Sequence, residues 1–314
     1  MQETLYNKSD SYSVIIPVYN STSSLNELTK ELTYVFSTIL KASFYEIIFV
    51  NDNSPNALTL DFLNEIHINF PHVKIINLTR NFGQQSATIC GINYASGEYI
   101  ITMDDDMQHS PLEIPKLLKL KNHDIVFANL QNKKTHFLNR ITSNIKAYFD
   151  YILIDKPKDI KLSSFRLIRS NIAKEAIKIE TAYPFLPALL FHISNDICSV
   201  NIEHNHDVNS KSNYTFKKRY KVFLNLLINN SSFLLKSLGY IGASAFLLSF
   251  ILAIYFIYKK MFLGVPIGFT SIIISILFFG GLNLLAFGIL GEYFIRLLAS
   301  SEKKPKYVVK SITT

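Results

Sequence analysis

The chain is poor in cysteine: its 314 residues include only two, Cys90 and Cys198. They lie far apart and lack metal-ligand spacing, which argues against a disulfide framework and against a zinc site. We therefore expect a reducing compartment. The predicted strands also do not end in G-x-G-x-x-G or G-x-x-x-x-G-K-[ST], and this absence argues against dinucleotide oxidoreduction and P-loop phosphoryl transfer. Internal repeats and low-complexity tracts are missing as well.

Basic residues outnumber acidic ones, and the formal net charge is +8. Any functional acidic cluster therefore lies in a background that attracts phosphates or an acidic membrane surface. The first residues, "MQETLYNKSDSYS", are polar and contain neither a secretory signal nor a lipidation motif. We expect the N-terminus to stay in the cytoplasm.

Two uncharged runs, at 238–258 and from 265 to about 290, are each long enough to cross a bilayer. Basic residues precede the first run and follow the second, whereas only Lys259 and Lys260 lie between them. By the positive-inside rule both flanks face the cytoplasm. The sequence therefore predicts a multi-pass protein of the inner (cytoplasmic) membrane with two transmembrane helices. A hydrophobic core hairpin of a soluble protein is the alternative.

The region before the first run mixes aromatic side chains with lysines and arginine, which is typical of a helix lying among lipid headgroups. An ordinary amphipathic surface helix has the same pattern. We expect four parts: a cytosolic α/β domain at 1–212, this basic amphipathic segment at 213–232, a transmembrane hairpin at 233–298 and a basic cytoplasmic tail at 299–314.

Short β-rich runs alternate with helical stretches in the first part, which predicts a mostly parallel sheet with helices on both faces. The predicted strands are 13–18, 45–50, 73–78, 98–103 and 124–129. Ligands of such sheets bind beyond the carboxyl ends of the strands. Four of these ends carry polar clusters: "PVYN", "NDNSPN", "TRNFGQQ" and "DDDMQH". A single cluster of this kind is usually a turn, but four on one edge predict a binding site.

The last cluster contains three consecutive carboxylates, Asp104, Asp105 and Asp106, which we call the triplet. Like charges side by side repel one another, so a solvated acidic loop is one explanation. The other is a hard divalent cation, Mg²⁺ or Mn²⁺, which relieves the repulsion and bridges to substrate phosphates. Such an ion would neutralise charge on a departing nucleoside diphosphate, and this predicts group transfer from an activated donor.

Several segments, taken together and in this order, resemble the polyprenyl-phosphate glycosyltransferases of glycosyltransferase family 2. They are "SVIIPVYN", "IIFVNDNSP", "TRNFGQQSATICGINYASGEYIITMDDDMQH", "SSFRLI", "KSNYTFKK" and "GILGEYFIR" followed by "KKPKY". That family includes dolichol-phosphate mannose synthases and bactoprenol glucosyltransferases, and "GILGEYFIR" is closest to the bactoprenol type. The resemblance covers nearly the whole chain. It implies a GT-A fold and inverting transfer of a sugar from a nucleotide sugar to a membrane lipid phosphate such as undecaprenyl phosphate.

The resemblance also implies roles for individual residues. Asp104 and Asp106 match the metal-binding Asp-x-Asp, with Asp106 the first choice as ligand and Gln108 on the metal or diphosphate side. Ser164 and Arg166 would lie near the acceptor phosphate. A mobile loop with Ser212 and Tyr214 would close over the diphosphate. The residues expected to hold the donor nucleotide are Pro17, Tyr19, Asp52, Arg80, Asn81, Gly83 and Asp105.

This chain departs from the family pattern at several positions. Ser21 stands where Glu is usual, Asp105 where many members have Ala, and Ser164 where many bactoprenol-type members have Asp. Without that Asp no general base is evident, but a lipid phosphate is already anionic at neutral pH and can attack unaided. Asp207 and Ser210 replace a frequent Arg and Gly, so diphosphate binding there would either be weaker or rely on basic neighbours, namely Lys211, Lys217 or Lys218.

The sugar is left open by these motifs: glucose is favoured, and mannose, galactose or a modified amino sugar are alternatives. Membrane lipids and further copies of the chain are expected partners, since the family includes tetramers, and nucleic acid is not. A processive polysaccharide synthase normally needs a Gln-x-x-Arg-Trp motif, and this chain has no tryptophan. A non-catalytic membrane scaffold with a degenerate nucleotide pocket is a further alternative. Transfer to a soluble glycan would leave the two spans without an evident purpose.

Overall fold

The computed structural model describes residues 10–130, 160–181, 184–203, 268–302 and 304–314, with individual helical residues between 240 and 262. The chain divides into two compact units. The first joins Met1–Asn213 to Lys304–Thr314, and the second is Tyr214–Lys303.

The strands of the first unit are β1 Ser11–Val18, β2 Phe44–Asn51, β3 Val73–Leu78, β4 Tyr99–Thr102, β5 Ile125–Leu130, β6 Arg166–Arg169, β7 Ile197–Ile202 and β8 Val309–Thr313. In the described part of the chain they form one eight-stranded sheet in the order β7-β5-β6-β4-β1-β2-β3-β8. Its pairs are parallel except that β6 is antiparallel to β4 and β5, and β8 is antiparallel to β3. The predicted mostly parallel sheet is confirmed.

The helices of the first unit are α1 Ser23–Tyr34, extended by a π-helical turn at Val35–Ile39, α2 Ala57–Asn69, α3 Gln84–Tyr94, α4 Ile114–Leu118, α5 Ser170–Lys178 and α6 Leu186–Ile193. A 3₁₀ turn at Pro111–Glu113 leads into α4. Side chains of a strand alternate between the two faces of a sheet. Accordingly, Val14 and Ile16 of β1 pack in an apolar cluster with α1, and Ile15 packs in a second cluster with α3.

Two glycines let α3 and the turn after it lie close to the sheet. A Cβ on Gly91 would come within 2.4 Å of the Cγ2 atom of Ile15, and one on Gly97 within 2.6 Å of the Tyr12 backbone carbon. Contacts this short are excluded by van der Waals repulsion, so a larger residue would push the helix outward. The close packing holds the N-terminus of α3, at Gln84, beside the strand ends.

Residues 304–314 were predicted only as a basic tail, and the structure adds that they include a strand of the sheet. In β8, Thr313 pairs with Ile75 and Ser311 with Asn77. Before the strand, Lys306 Nζ donates hydrogen bonds of 2.6 Å to the backbone carbonyls of Ile177 and Ile179 at the end of α5. The last carbonyls of a helix have no partner inside the helix, so this ammonium group caps α5.

The second unit contains α7, Phe269–Ser301. Among the described residues it is the one helix long and apolar enough to cross a membrane, with a window at Phe278–Ile295 of mean hydropathy 1.5 and none of it buried. At 1.5 Å per residue it is roughly 50 Å long, more than the ~30 Å hydrocarbon core of a bilayer.

The first predicted span, 238–258, lies partly outside the described residues. Those that are described, among them Tyr240, Ile251 and Tyr258, are helical and exposed. Two transmembrane helices therefore remain a prediction. The amphipathic segment at 213–232 lies outside the described residues altogether.

Candidate active site

Side chains from the four polar clusters lie together at the carboxyl edge of the sheet. Hydrogen bonds connect the loop after β1 with the loops after β2 and β4, through Asn20 with Ser54 and Ser21 with Asp105. The loop after β2 is in turn bonded to the residues before α3 through Asp52. The clusters that are separate in the sequence therefore form one site.

Each carboxylate of the triplet accepts hydrogen bonds of its own. Asp104 Oδ1 accepts a 2.6 Å bond from Gln84 Nε2, and Asp104 Oδ2 accepts a 2.5 Å bond from Ser164 Oγ. Asp105 Oδ2 accepts from Ser21 Oγ at 2.6 Å. Asp106 Oδ1 accepts from the backbone N–H of Gln108 at 3.1 Å. The triplet is thus held in place from the loop after β1, from α3 and from the residues before β6.

Burial and mutual repulsion both act on the triplet. Burial raises the pKa of Asp105 to about 6; the Ser21 hydroxyl opposes this shift, and the charges of Asp104 and Asp106 add to it. The pKa of Asp106 is also raised, mainly by burial, with the Gln108 N–H acting in the opposite direction. A raised carboxyl pKa means that the charged form is disfavoured in this environment. A cation placed here would reverse that penalty.

The donor set suits a metal ion that is shared with a substrate. Within the described residues, no group of three or more His, Cys, Asp or Glu side chains is arranged to hold a metal ion by itself. Mg²⁺ is commonly bound through only one or two carboxylates, and waters and substrate phosphates supply its other ligands. The half-buried carboxylates of the triplet fit that requirement. Asp104 and Asp106 stay the predicted ligands.

Asp52 is buried, and it fixes the loop between β3 and α3. Its Oδ1 accepts a hydrogen bond from the Phe82 N–H at 2.7 Å and its Oδ2 from the Gly83 N–H at 2.8 Å. Burial raises the pKa of Asp52, and the two N–H groups oppose the rise. Gly83 has φ of +91°, a left-handed conformation that favours glycine. Contact between Asp52 and a nucleobase remains a prediction.

The other residues predicted to hold the donor differ in exposure. Pro17 is buried inside β1, whereas Tyr19, directly after the strand, is 48% exposed. Arg80 and Asn81 are exposed, and the Arg80 guanidinium lies 4.6 Å from the centre of the Phe82 ring. Tyr19 follows β1 and Arg80 follows β3, with β2 between these two strands, so both exposed side chains lie at the same edge of the sheet and can meet a base and a phosphate.

Arg166 lies deeper than an acceptor-phosphate contact would suggest. It is only 3% exposed, and its Nε donates a 2.9 Å hydrogen bond to Thr102 Oγ1, which donates in turn to the Ser164 carbonyl at 2.7 Å. Burial lowers its pKa to about 10 and the charge of Asp104 opposes the shift, so the guanidinium stays protonated at neutral pH. It therefore supplies positive charge behind the triplet. Its contact with an acceptor phosphate remains a prediction.

Two residues that depart from the family pattern, Ser21 and Ser164, form hydrogen bonds with the triplet. The hydroxyl of Ser21 donates to Asp105, and that of Ser164 donates to Asp104. Both serines therefore orient carboxylates. Ser212 and Tyr214 lie outside the described residues, as do the other loop positions Asp207, Ser210, Lys211, Lys217 and Lys218.

Sequence reasoning missed three polar side chains that support the site. Gln84 bonds the triplet, Thr102 bonds Arg166, and Gln85 Oε1 accepts a 3.0 Å hydrogen bond from the Leu186 N–H at the start of α6. Both glutamines belong to the cluster "TRNFGQQ", whose position at a strand end was a usable signal. Thr102 lies inside a β-rich run and has no such signal.

Comparison with known sequences identifies full-length relatives. A family model described as Glycosyl transferase family 2 matches residues 13–176. An uncharacterized glycosyltransferase of Synechocystis sp. is 30% identical over 308 residues, which cover 96% of this chain and 95% of that relative. A bactoprenol glucosyl transferase of Shigella phage SfV is 29% identical over 307 residues, which cover 95% of this chain and 98% of that relative.

Comparison with solved structures identifies a similar fold. Glucosyl-3-phosphoglycerate synthase from Mycobacterium tuberculosis, in complex with Mn²⁺, UDP-glucose and phosphoglyceric acid, has a TM-score of 0.51 at 13% identity, covering 70% of this chain and 79% of that chain. The same enzyme with Mg²⁺ and UDP has a TM-score of 0.50 at 12% identity, covering 69% and 76%. At this identity the likeness concerns the fold.

Proposed function

The chain belongs to glycosyl transferase family 2, has the GT-A fold and is a glycosyltransferase, and from that premise we propose that it transfers a hexose from a UDP- or GDP-sugar to undecaprenyl phosphate. Glucose is the favoured sugar. The observation that carries the proposal is the match to a bactoprenol glucosyl transferase over 95% of this chain. A match of that extent includes the apolar C-terminal region as well as the α/β domain.

On the donor side, the nucleotide would lie across the strand ends, near the exposed Tyr19 and Arg80. Asp104 and Asp106 would hold Mg²⁺ or Mn²⁺, which as a Lewis acid offsets negative charge on the departing diphosphate. Gln84 and Ser164 keep the Asp104 carboxylate in one orientation. The protonated Arg166 behind it balances part of the charge of the triplet.

On the acceptor side, an oxygen of the lipid phosphate attacks the anomeric carbon while the bond from that carbon to the donor diphosphate breaks. The diphosphate leaves with the electron pair, and the anomeric configuration inverts. The attacking phosphate is already ionised at neutral pH, so no side chain has to remove a proton from it. The presence of Ser164 rather than an acidic residue is compatible with this reaction.

The two parts of the first unit support a membrane topology with an even number of crossings. Met1–Asn213 and Lys304–Thr314 belong to one compact unit, so any membrane crossings between them must be even in number. If α7 crosses, a second crossing is required, and the run at 238–258 supplies it. We therefore propose two spans, with the catalytic domain and both flanks in the cytoplasm. The product would serve modification of a cell-surface glycan such as an O-antigen, and assembly into oligomers stays a prediction.

The test is an assay of the full chain in detergent with undecaprenyl phosphate and a panel of nucleotide sugars, with lipid products identified by mass. We expect one hexosyl-phosphoryl lipid whose formation requires Mg²⁺ or Mn²⁺ and is lost in Asp106→Ala. Metal-dependent nucleotide binding without turnover on the lipid would instead support the scaffold. Equal activity of Asp106→Ala and the wild type would refute the metal assignment.

A further inference from the structure

Three polar side chains form a hydrogen-bonded row across β2, β3 and β8. Asn51 is paired with Asn77 in the parallel ladder, and Asn77 is paired with Ser311 in the antiparallel ladder. Asn51 Nδ2 donates to Asn77 Oδ1 at 2.9 Å, and Asn77 Nδ2 donates to Ser311 Oγ at 3.1 Å. We call these three residues the polar row. It joins the C-terminal strand to the end of β2.

At its inner end the polar row continues into the loops of the candidate site. Asn51 Oδ1 accepts hydrogen bonds from the N–H and the hydroxyl of Ser54, at 3.0 and 2.7 Å. Ser54 Oγ accepts from the Asn20 N–H at 3.0 Å, and Asn20 Oδ1 accepts from the Asn56 N–H at 3.3 Å. One chain of hydrogen bonds thus leads from β8 to the loops after β1 and β2.

These loops need such support because their backbone is strained. Asn20 and Asn53 have φ of +62° and +52°, left-handed conformations that are uncommon outside glycine. They flank Tyr19 and Asp52, two residues predicted to meet the nucleotide. Asn51 is only 6% exposed, and its Nδ2 donates within the polar row while its Oδ1 accepts from Ser54, so losing the Asn77 acceptor would leave a buried donor unpaired.

A second contact brings β8 to the same region. The backbone N–H of Thr79 donates to the Val308 carbonyl at 3.0 Å, immediately before Arg80 and Asn81. The residues that follow α7 therefore reach two of the strand-end clusters, one through side chains and one through the backbone.

We propose that the polar row makes the C-terminal strand a positioning element of the donor site. Asn77 and Ser311 fix the loops at 19–20 and 51–56 in the conformation that binds the nucleotide. Neither side chain has to touch the donor. The identity of the ligand that these loops bind rests on the proposed function, whereas the hydrogen bonds of the polar row do not depend on it.

The test compares variants of the full chain in detergent. Ser311→Ala removes the outer hydroxyl, Ser311→Thr keeps it, and Thr313→Val, on the same face of β8, is the matched control. Asn77→Ala interrupts the row at its centre. One hydrogen bond corresponds to roughly a 3- to 10-fold change in an equilibrium constant. We expect the donor KM to rise about 3-fold in Ser311→Ala and about 10-fold in Asn77→Ala, with the lipid KM and kcat unchanged.

Amide hydrogen exchange supplies a readout that needs no activity. We expect faster exchange in peptides covering 19–21 and 52–56 for Ser311→Ala and Asn77→Ala, and wild-type exchange for Ser311→Thr and Thr313→Val. Unchanged exchange in folded Ser311→Ala and Asn77→Ala would overturn the proposal. If Asn77→Ala does not fold, hydrogen exchange in Ser311→Ala alone tests the proposal. A wild type that binds no nucleotide refutes the proposed function, while the exchange measurement still tests the polar row.

Discussion

Gln84 and Asp104 are joined by a 2.6 Å hydrogen bond from the Gln84 amide to a carboxylate of the triplet. Gln84 is the first residue of α3, and Asp104 follows β4, so the bond connects two elements that meet only in the folded chain. It leaves the Asp104 carboxylate with one side held by α3 and the other by Ser164. The orientation of this carboxylate is therefore set from both sides.

We expect Gln84→Met to lower kcat/KM for the nucleotide sugar at least about 10-fold, because a hydrogen bond to a charged group contributes roughly 1.5–3 kcal/mol. Gln84→Glu should be more damaging, since it places a fourth carboxylate against the triplet. Steady-state rates at several Mn²⁺ concentrations measure both effects. Equal rates for Gln84→Met and the wild type would show that this bond does not support catalysis.

A double-mutant cycle measures the energy of the hydrogen bond between Ser21 and Asp105. Ser21→Ala and Asp105→Ala should each raise the donor KM. The loss of donor-binding free energy in the double variant should be about 1 kcal/mol smaller than the sum of the two single losses, which is the contribution of one hydrogen bond. Additive effects would indicate that the 2.6 Å contact has no energetic role in donor binding.

Stability should depend on pH through Glu46, on β2. Burial raises its pKa, but Lys74 at 2.6 Å, the Ser13 hydroxyl and the Ser96 N–H outweigh burial, so the pKa is lowered from its ordinary value of 4.5. A carboxylate with a depressed folded-state pKa stabilises the fold above its unfolded pKa, and this contribution is lost as the pH falls through the folded value.

The Tm of the wild type should therefore fall between about pH 5 and about pH 3 by more than that of Glu46→Gln. Glu65→Gln, at an exposed position of α2, serves as control and should keep the wild-type profile. Parallel profiles for the wild type and Glu46→Gln would contradict the assignment.

Lys306→Met should destabilise the first unit by about 1–3 kcal/mol, because the two carbonyls at the end of α5 lose a charged donor. Lys310→Met removes a lysine at an exposed position of β8 and should have little effect. Thermal unfolding measures the difference, and limited proteolysis should cut residues 304–314 faster in Lys306→Met alone. The same Tm for both variants would argue against the cap.

Sequence patterns predicted the strand ends and the triplet because both are local: a β-rich run followed by polar residues is visible in a short window. They did not predict β8, whose partner β3 lies more than 200 residues earlier and whose five residues carry no distinctive alternation. The burial of Arg166 was equally hidden, since it depends on β6 being inserted between β4 and β5. Long-range pairing decides both features.

The pairing of β3 with β8 also fixes an order of events in biosynthesis. Until residues 309–313 have emerged from the ribosome, β3 presents an unpaired strand edge, which is open to wrong partners. The apolar helix α7 precedes β8 in the chain, so α7 is synthesised before the sheet can be completed. Under the proposed two-span topology, an apolar region that failed to insert correctly would keep β8 from pairing with β3. Under that topology, a completed sheet would indicate that the apolar region has inserted correctly, and catalytic activity would arise only after this step.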